Sequence, residues 1–489
     1  MSKPALRYTD VSLTDGQSAR WAGAMTTPMM LAVATRLAAA APAAIEVASP
    51  ATLQQCVARG EDPWQRVELM RERCPGIALR AAIALLTEHG RRGIDVIPTE
   101  AATLWLRELA QRGVSEIVLI DPMVEIARIA PVLKAGKALG LTMIAALPFA
   151  HGSTHSDDAL KEQAAALAEA GATRVMLRDE AGLLTPDRLA TLLPALRAGL
   201  GTGPGATPLD LHLRCQTALG PMVVLEAVRI GIDGLDTAFA PLGNGASVPA
   251  LGTLLKSLRM LALGTPASEQ TLHAVGEADR LLAELADRHG FAPARPWVFD
   301  LAPYAHQLPG EVAAQCMQRL AELGLTHKLH AFANECALIR SEIGMPPMLA
   351  PFARPIAEQA LQHLQGLPRY AELRPGVRRA LQQVHGAAAG NVDATLLQRV
   401  GAVPKAAAPS LAALRAALPT SNDAALVLFL ACGVAPEGLP APASLDALRY
   451  VPTTPADALL AGLTARAARY AQLSVQGPGV SIQLQGTEG

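Results

Sequence analysis

Between residues 6 and 240, short aliphatic and β-branched runs alternate with longer stretches in which apolar positions recur every three or four residues. That switching between a period of two and a helical period is how repeated βα units are written in a sequence. Eight runs predict strands: Arg7 to Leu13, Ile45 to Ala48, Ile77 to Leu85, Glu116 to Asp121, Thr142 to Phe149, Arg174 to Asp179, Leu209 to Cys215 and Gly234 to Ala240. Their spacing of roughly 20 to 40 residues leaves room for one crossover helix each, and eight parallel strands of this length close into a TIM (β/α)8 barrel. Chemistry in such a barrel sits at the C-terminal ends of the strands. The positions to inspect are therefore Asp15, Ala48 to Gln54, Arg80, Asp121, His151, His155, Arg178, Asp179, Arg214, Gln216 and Ala240 to Ser247.

After Gly264 the pattern changes to long helical stretches broken by Pro and Gly, such as Ala267 to His289 and Glu311 to Leu323. This predicts a barrel over residues 1–265, a mostly helical second domain over 266–403, and a C-terminal region over 404–489. A Pro/Ala-rich linker near Val403 to Ser410 would open that last region, followed by a helix near Ala456 to Gln472 and a strand pair around Ser474 to Gln485. The apolar run Ala424 to Ala435 falls well short of the roughly 20 residues needed to cross a bilayer and reads as a buried helix. No other segment has transmembrane character.

Composition narrows the function classes. With 51% hydrophobic and 17% charged residues the chain can bury a large core, and 42 basic against 43 acidic residues give no bulk attraction to nucleic acid or an anionic membrane. An aromatic content of 3% argues against base-stacking platforms and suits a barrel packed with aliphatic side chains. The first fifteen residues carry Lys3, Arg7, Asp10 and Asp15 without an apolar core, which is not a secretory signal. Cys56, Cys74, Cys215, Cys316, Cys336 and Cys432 include no CxxC pair, so reduced structural thiols and a cytoplasmic location are expected.

Several segments carry a more specific signal: Asp10-Val-Ser-Leu-Thr-Asp-Gly16, Gly60-Glu-Asp-Pro-Trp64, Asp179-Glu-Ala-Gly-Leu-Leu-Thr-Pro186, Asp233-Gly-Leu-Asp-Thr237 and Tyr304-Ala-His-Gln-Leu-Pro-Gly310. From Tyr8 to about Val434 the chain resembles the carboxyltransferase subunits of biotin-dependent enzymes, namely the oxaloacetate decarboxylase alpha subunit, the B subunit of pyruvate carboxylase and the transcarboxylase large subunit. The resemblance implies a divalent metal held by an Asp after the first strand, a carboxylated Lys on the sixth and two His of an HxH on the seventh. Such a Lewis acid would polarise a keto substrate. On that pattern Asp15 matches, Arg178 stands where the Lys belongs, and the HxH reads Arg214-Cys215-Gln216. Arginine stays protonated and cannot coordinate a cation, so no metal is expected there.

Other implied positions also change. The family's proton-shuttling Thr falls on Ala246, an acidic loop residue on Gln54 and a pocket Tyr on Thr87, while one residue missing near Asp15 displaces Gln17. Arg80 matches the implied contact to a substrate carboxylate. If Arg178 and Arg214 project into the metal's position, they and Arg80 would face Asp15 and form a pocket for a carboxylate or phosphate. Asp179 would either orient Arg178 or close its strand.

The remaining candidates read as structural. His151 and His155 lie in a Gly/Ser-containing loop, a poor metal pair; His327 and His330 fall on a helical surface; and Cys215, despite positive neighbours, reads as a buried, inert thiol. No lysine lies between two methionines, so any biotin would be presented by a separate carrier protein. The resemblance therefore implies a non-catalytic or strongly diverged carboxyltransferase-like subunit. Its partners would be a biotin carboxylase, a biotin carrier protein or a carboxyltransferase paralogue, with a homo-oligomer expected. Two alternatives stay open: a metal-independent carboxyltransferase, decarboxylase or lyase using Arg80, Arg178 and Arg214, and a small-molecule anion sensor.

Overall fold

The computed structural model describes residues 6–87, 94–152, 155–264, 266–295, 297–401, 409–418, 422–451, 459, 463–464, 472–477 and 480–485. Eight parallel strands, β1 Arg7–Asp10, β2 Ala44–Ala48, β3 Ala78–Ala84, β4 Val114–Ile120, β5 Thr142–Pro148, β6 Arg174–Asp179, β7 Leu209–Leu213 and β8 Gly234–Thr237, form a closed barrel in chain order. Closure is made by β8 on β1, with Arg7 opposite Gly234 and Asp10 opposite Thr237. Each predicted run coincides with one strand, β2 and β4 beginning one and two residues before their runs. The first, seventh and eighth runs overshoot because their last residues leave the sheet and turn over the barrel mouth.

Alternation along the strands divides the barrel interior into two unlike halves. Ala82, Val118, Ile144, Ala146 and Met176, from β3 to β6, make a small apolar core of their own. Across from them Glu46, Arg80, His212 and Asp236 are joined by hydrogen bonds. The opposite face of the same strands, with Leu79, Ala81 and Ile83 on β3, packs outward against the helices in the main core. Small side chains on β3 leave space at the mouth. Glu46 of β2 and His212 of β7 face it.

The helices are placed by local chemistry at their starts. Ser49, directly after β2, forms a reciprocal cap with Thr52 and is followed by Pro50, so the helix Pro50–Ala58 begins at the mouth. The helix Glu269–His289, beyond the expected barrel limit at 265, packs on helix Thr27–Ala39 and adds Val275, Leu282 and Leu285 to the barrel core. The apolar helix Asp423–Cys432 does the same against helices Pro50–Ala58 and Thr99–Gln111, and is buried from Ala425 to Cys432. The expected buried helix is therefore part of the barrel's wall. A second core, built on Leu308, Val312, Phe332, Ile339, Phe352 and Ile356, holds the helical region together.

Strands β9 Gln472–Gly477 and β10 Val480–Gln485 pair antiparallel, where the strand pair was predicted. The helix expected near Ala456 to Gln472 falls almost wholly outside the described residues, and Gln472 itself opens β9. No described helix is long and apolar enough to cross a membrane. All six cysteines are free and buried.

Candidate functional site

Three strand ends and one helix from the second core meet at the barrel mouth. After β1, Asp10 accepts hydrogen bonds from the Ser12 backbone (2.9 Å) and hydroxyl (2.6 Å), which winds Ser12–Gly16 into a π-helical turn and hangs Asp15 over the mouth. At the end of β6, Asp179 accepts from the Leu184 amide at 2.7 Å and closes the loop that follows. Gly182 in that loop has φ +69° and lies where a Cβ would come within 2.5 Å of the Arg214 carbonyl, so only glycine fits. Asp179 therefore closes the strand end and leaves Arg178 to another partner.

That partner is Glu180, the next acidic residue in the sequence. Arg178 donates from Nε to Glu180 Oε1 at 2.9 Å and also from Nη2 to the same oxygen. His212 on β7 and Arg214 just past its end are two apart and face inward together. Arg214 Nη2 lies 2.5 Å from Asp15 Oδ1 and 2.7 Å from Glu311 Oε2. Its Nε donates to Glu180 Oε2 at 2.7 Å and its Nη1 to the Ala246 carbonyl at 2.9 Å. One guanidinium thus ties together β1, β6, β7, the loop after β8 and the helix Gly310–Glu322.

This placement corrects the register expected for β7. The strand's period of two makes His212 and Arg214 the inward pair, while the Cys215 amide turns to the Ser247 carbonyl at 2.9 Å. Gln216 points away and donates to the Leu308 carbonyl at 2.9 Å, joining the barrel to the helical region. The site therefore retains a histidine. His212 Nδ1 is 2.9 Å from Asp236 Oδ2, while Nε2 is buried, has no hydrogen-bond partner among the described residues, and lies 3.8 Å from both Asp15 Oδ1 and Glu180 Oε2.

Arg80 is also corrected. Its Nη1 and Nη2 each reach an Asp236 carboxylate oxygen at 2.7 Å, its Nε reaches Glu46 at 2.8 Å, and it is 1% exposed. Three of its five N–H bonds are directed at these two carboxylates below the mouth, and Arg80 is absent from the residues that line the chamber above. The picture of three arginines facing one carboxylate is reversed as well: Asp15, Glu46, Glu180, Asp236 and Glu311 answer Arg80, Arg178 and Arg214. Burial raises the Asp15 pKa despite Arg214 beside it. Burial also opposes charge on Glu180, but Arg178 and Arg214 prevail and hold it well below the usual carboxylate range.

The other sequence candidates lie apart from this network. Asp121 pairs with Arg128 at 2.7 and 2.9 Å. His151 is exposed against the edge of Tyr304, and burial and Arg340 bring His155 down to about 4. His327 and His330 are exposed. Burial, with Asp179 and Asp15 nearby, pushes the Cys215 thiol up, so its surroundings deactivate it. Gln17 is buried, bonded to Gln55 at 3.2 Å and to the Met25 amide at 3.3 Å. Gln54 and Thr87 line the chamber above the network. Ala246 contributes its carbonyl, and the adjacent Ser247 hydroxyl donates to Asp15 Oδ2 at 3.4 Å.

That chamber encloses about 210 Å³. Its floor carries Asp15, Glu46, Arg178, Glu180, His212, Arg214 and Glu311, and its walls mix apolar side chains such as Ala82, Ala84, Trp105 and Leu430 with the polar Gln54, Gln55, Gln315 and Arg354. Glu180, His212 and Glu311 were missed by sequence reasoning. His212 was recoverable from the two-residue spacing to Arg214; Glu311 arrives from a separate core and had no local signal. It is delivered because Gly310 is pressed against the Ala246 carbonyl, where a Cβ would lie at 1.9 Å.

Asp15, Glu180 and His212 each offer a ligand atom within 4.8 Å of the others, two carboxylates and an imidazole of the kind that bind a transition metal. The two carboxylates are, however, the ones Arg214 holds at 2.5 and 2.7 Å. A divalent ion among them would touch a permanent cation, so the residues present do not fit the metal.

The model of the HMGL-like family matches residues 5–278. The chain belongs to the HMGL-like family. It is 24% identical over 396 residues to the pyruvate carboxylase B subunit of Methanocaldococcus jannaschii, covering 81% of this chain and 68% of that one. It is 22% identical to the 2-oxoglutarate carboxylase large subunit of Hydrogenobacter thermophilus, over 80% of this chain and 59% of that protein's length. The methylmalonyl-CoA carboxyltransferase 5S subunit of Propionibacterium freudenreichii subsp. shermanii is also 22% identical, over 72% of this chain and 68% of its own. In structure, the carboxyl transferase domain of Rhizobium etli pyruvate carboxylase matches with a TM-score of 0.76 at 20% identity, over 88% of this chain and 76% of that domain. The last likeness is one of fold.

Proposed function

We propose that this protein is a carboxyltransferase-like subunit associated with biotin-dependent carboxylation in which Arg214, supported by Arg178, fills the place of the catalytic metal, and which is therefore non-catalytic in the metal-dependent reaction. The observation that carries the proposal is the Arg214 guanidinium shared among Asp15, Glu180 and Glu311. The relatives named above supply the biochemical setting, since their names are those of carboxylase and carboxyltransferase subunits. A buried, fully paired guanidinium supplies fixed positive charge but no open coordination position, so it cannot polarise a keto oxygen as a Lewis acid does. The partners expected are a biotin carboxylase, a biotin carrier protein or an active carboxyltransferase paralogue. Affinity purification from the native host should recover at least one of them, and the purified protein should contain no stoichiometric transition metal by mass spectrometry. Recovery of none, or a metal at one per chain, refutes the reading.

A second reading is favoured by His212. Its Nδ1 lies against Asp236 and its Nε2 has no hydrogen-bond partner among the described residues; under this reading it serves as the proton acceptor that a metal-independent lyase or decarboxylase requires. Under this reading, oxaloacetate decarboxylation or turnover on a 2-oxo-acid and acyl-CoA panel would be indifferent to chelator and abolished by His212→Gln. No turnover on any substrate of the panel excludes it.

A further inference from the structure

Outside the chamber, one stretch of chain carries large apolar side chains into solvent. Residues 297–301, ahead of the helix Ala302–His306, expose Trp297 at 44%, Val298 at 80%, Phe299 at 56% and Leu301 at 57%. The chain has four tryptophans and seven phenylalanines, and Trp297 and Phe299 alone among them are exposed. Neither belongs to a core of the fold, and a contiguous apolar patch of this kind marks an interaction surface.

The patch is fixed in place at the rim of the barrel mouth. Trp297 Nε1 donates to the Gln216 carbonyl at 2.8 Å, and its ring lies so close over Gly245 that a Cβ there would come within 2.6 Å of it. Gly245 belongs to the loop after β8 that carries Ala246 and Ser247, which bond to Arg214 and Asp15. Just upstream, the Ala292 and Pro293 carbonyls accept from Trp21 Nε1 at 3.0 Å and Arg20 Nη2 at 3.1 Å. Two positive charges flank the patch. The Arg20 guanidinium is 5.8 Å from the centre of the Trp297 ring, and burial and then the charge of Arg295 lower its pKa. Neither arginine has a carboxylate partner among the described residues. Asp300, the acid of the segment, accepts from the Ala302 amide at 2.9 Å.

We infer that this surface is the docking site for a separate protein that presents carboxylates beside apolar side chains, the apolar groups covering Trp297, Val298, Phe299 and Leu301 and the carboxylates answering Arg20 and Arg295. Rigid aromatic side chains and arginines are the residues that dominate protein interfaces. The charges argue against a second copy, because a two-fold contact centred here sets both arginines against their own counterparts. A lipid surface is a poor match, since Asp300, between Phe299 and Leu301, would have to enter the apolar layer with them. The inference rests on the reading that this chain works with partners, and it adds the surface and its chemistry.

The test is photocrosslinking in the native host, with a photoreactive side chain replacing Val298 in the full-length protein and mass spectrometry of the adduct. It should identify a second protein, joined through a peptide that contains Asp or Glu. That protein, once purified, should bind the native chain and bind Phe299→Ser and Arg295→Glu about tenfold less tightly, the loss produced by truncating an interface hot spot. Binding should also weaken as salt rises. Both substituted residues are exposed, so the variants should melt with the native protein. Adducts with a second copy, nucleic acid or lipid overturn the inference, as do no adduct, a partner peptide without an acid, or unchanged binding in either variant. The partner's identity keeps the two readings apart: a protein unrelated to biotin-dependent carboxylation counts against the proposed function and leaves the surface, whereas a carboxylase component that ignores both substitutions removes the surface alone.

Discussion

Replacing Arg214 by histidine should turn the network into a metal site. Asp15, Glu180 and His212 already present one ligand atom each within 4.8 Å of one another, and the new imidazole would project from the same face of β7 as His212. What opposes a cation in the native protein is the guanidinium, 2.5 Å from Asp15 and 2.7 Å from Glu180. A divalent ion about 4 Å from a unit positive charge, at an effective dielectric near 20, is repelled by about 8 kcal/mol. If relaxation and screening leave a quarter of this, about 2 kcal/mol, removing Arg214 still strengthens metal binding roughly thirtyfold, before the added ligand is counted.

The same substitution should destabilise the metal-free protein. Asp15, Glu180 and Glu311 lose a common partner, and breaking a buried pair costs about 3–5 kcal/mol. Zinc should restore much of that stability, because an ion bound by the native state stabilises it by mass action. The assay is zinc content after dialysis together with melting temperature, with and without zinc, for native and Arg214→His protein. A variant that takes up no more zinc than the native chain, or whose melting temperature ignores zinc, refutes the view that Arg214 is what keeps the metal out.

Three further outcomes follow from the same geometry. Arg80→Met leaves Glu46 and Asp236 buried without their cation, and denaturant titration should show a loss of about 3–5 kcal/mol; a loss below about 1 kcal/mol would mean that Arg80 is not needed to hold the interior charges. Gly310→Ala puts a Cβ 1.9 Å from the Ala246 carbonyl, so the helix carrying Glu311 must move, with a cost of about 2 kcal/mol or more; an unchanged melting temperature would contradict the contact. Burial lifts Asp10 from its ordinary value to about 7, so its neutral form is the one the fold favours. Its contribution is complete below the unfolded pKa near 4 and is lost as pH rises through about 7, by as much as about 4 kcal/mol. Asp10→Asn should flatten that part of the stability profile, and an unaltered slope between pH 4 and 7 would show that Asp10 is not its source.

The barrel was legible in the sequence because a closed parallel sheet demands something local and repeated: a short aliphatic run, a turn, a helix with one apolar face, eight times over. Asp15, Arg178 and Arg214 were legible for a related reason, since strand ends in such a barrel point at the mouth. The chemistry of the site was not, because it depends on which charges answer which. Arg80 reads as a substrate contact until Asp236, on a strand far along the chain, is seen to take two of its donors. Arg214 reads as an anion receptor until Glu311 comes down from a separate core. His212 was hidden by a two-residue slip in register, which keeps the same face but moves the inward pair one step back along β7. Sequence periodicity determines which face of an element is buried. Only the tertiary structure brings distant elements together and so decides whether a buried arginine is a free hand or one already held, because the energy of a buried charge lies in its partners rather than in the residue.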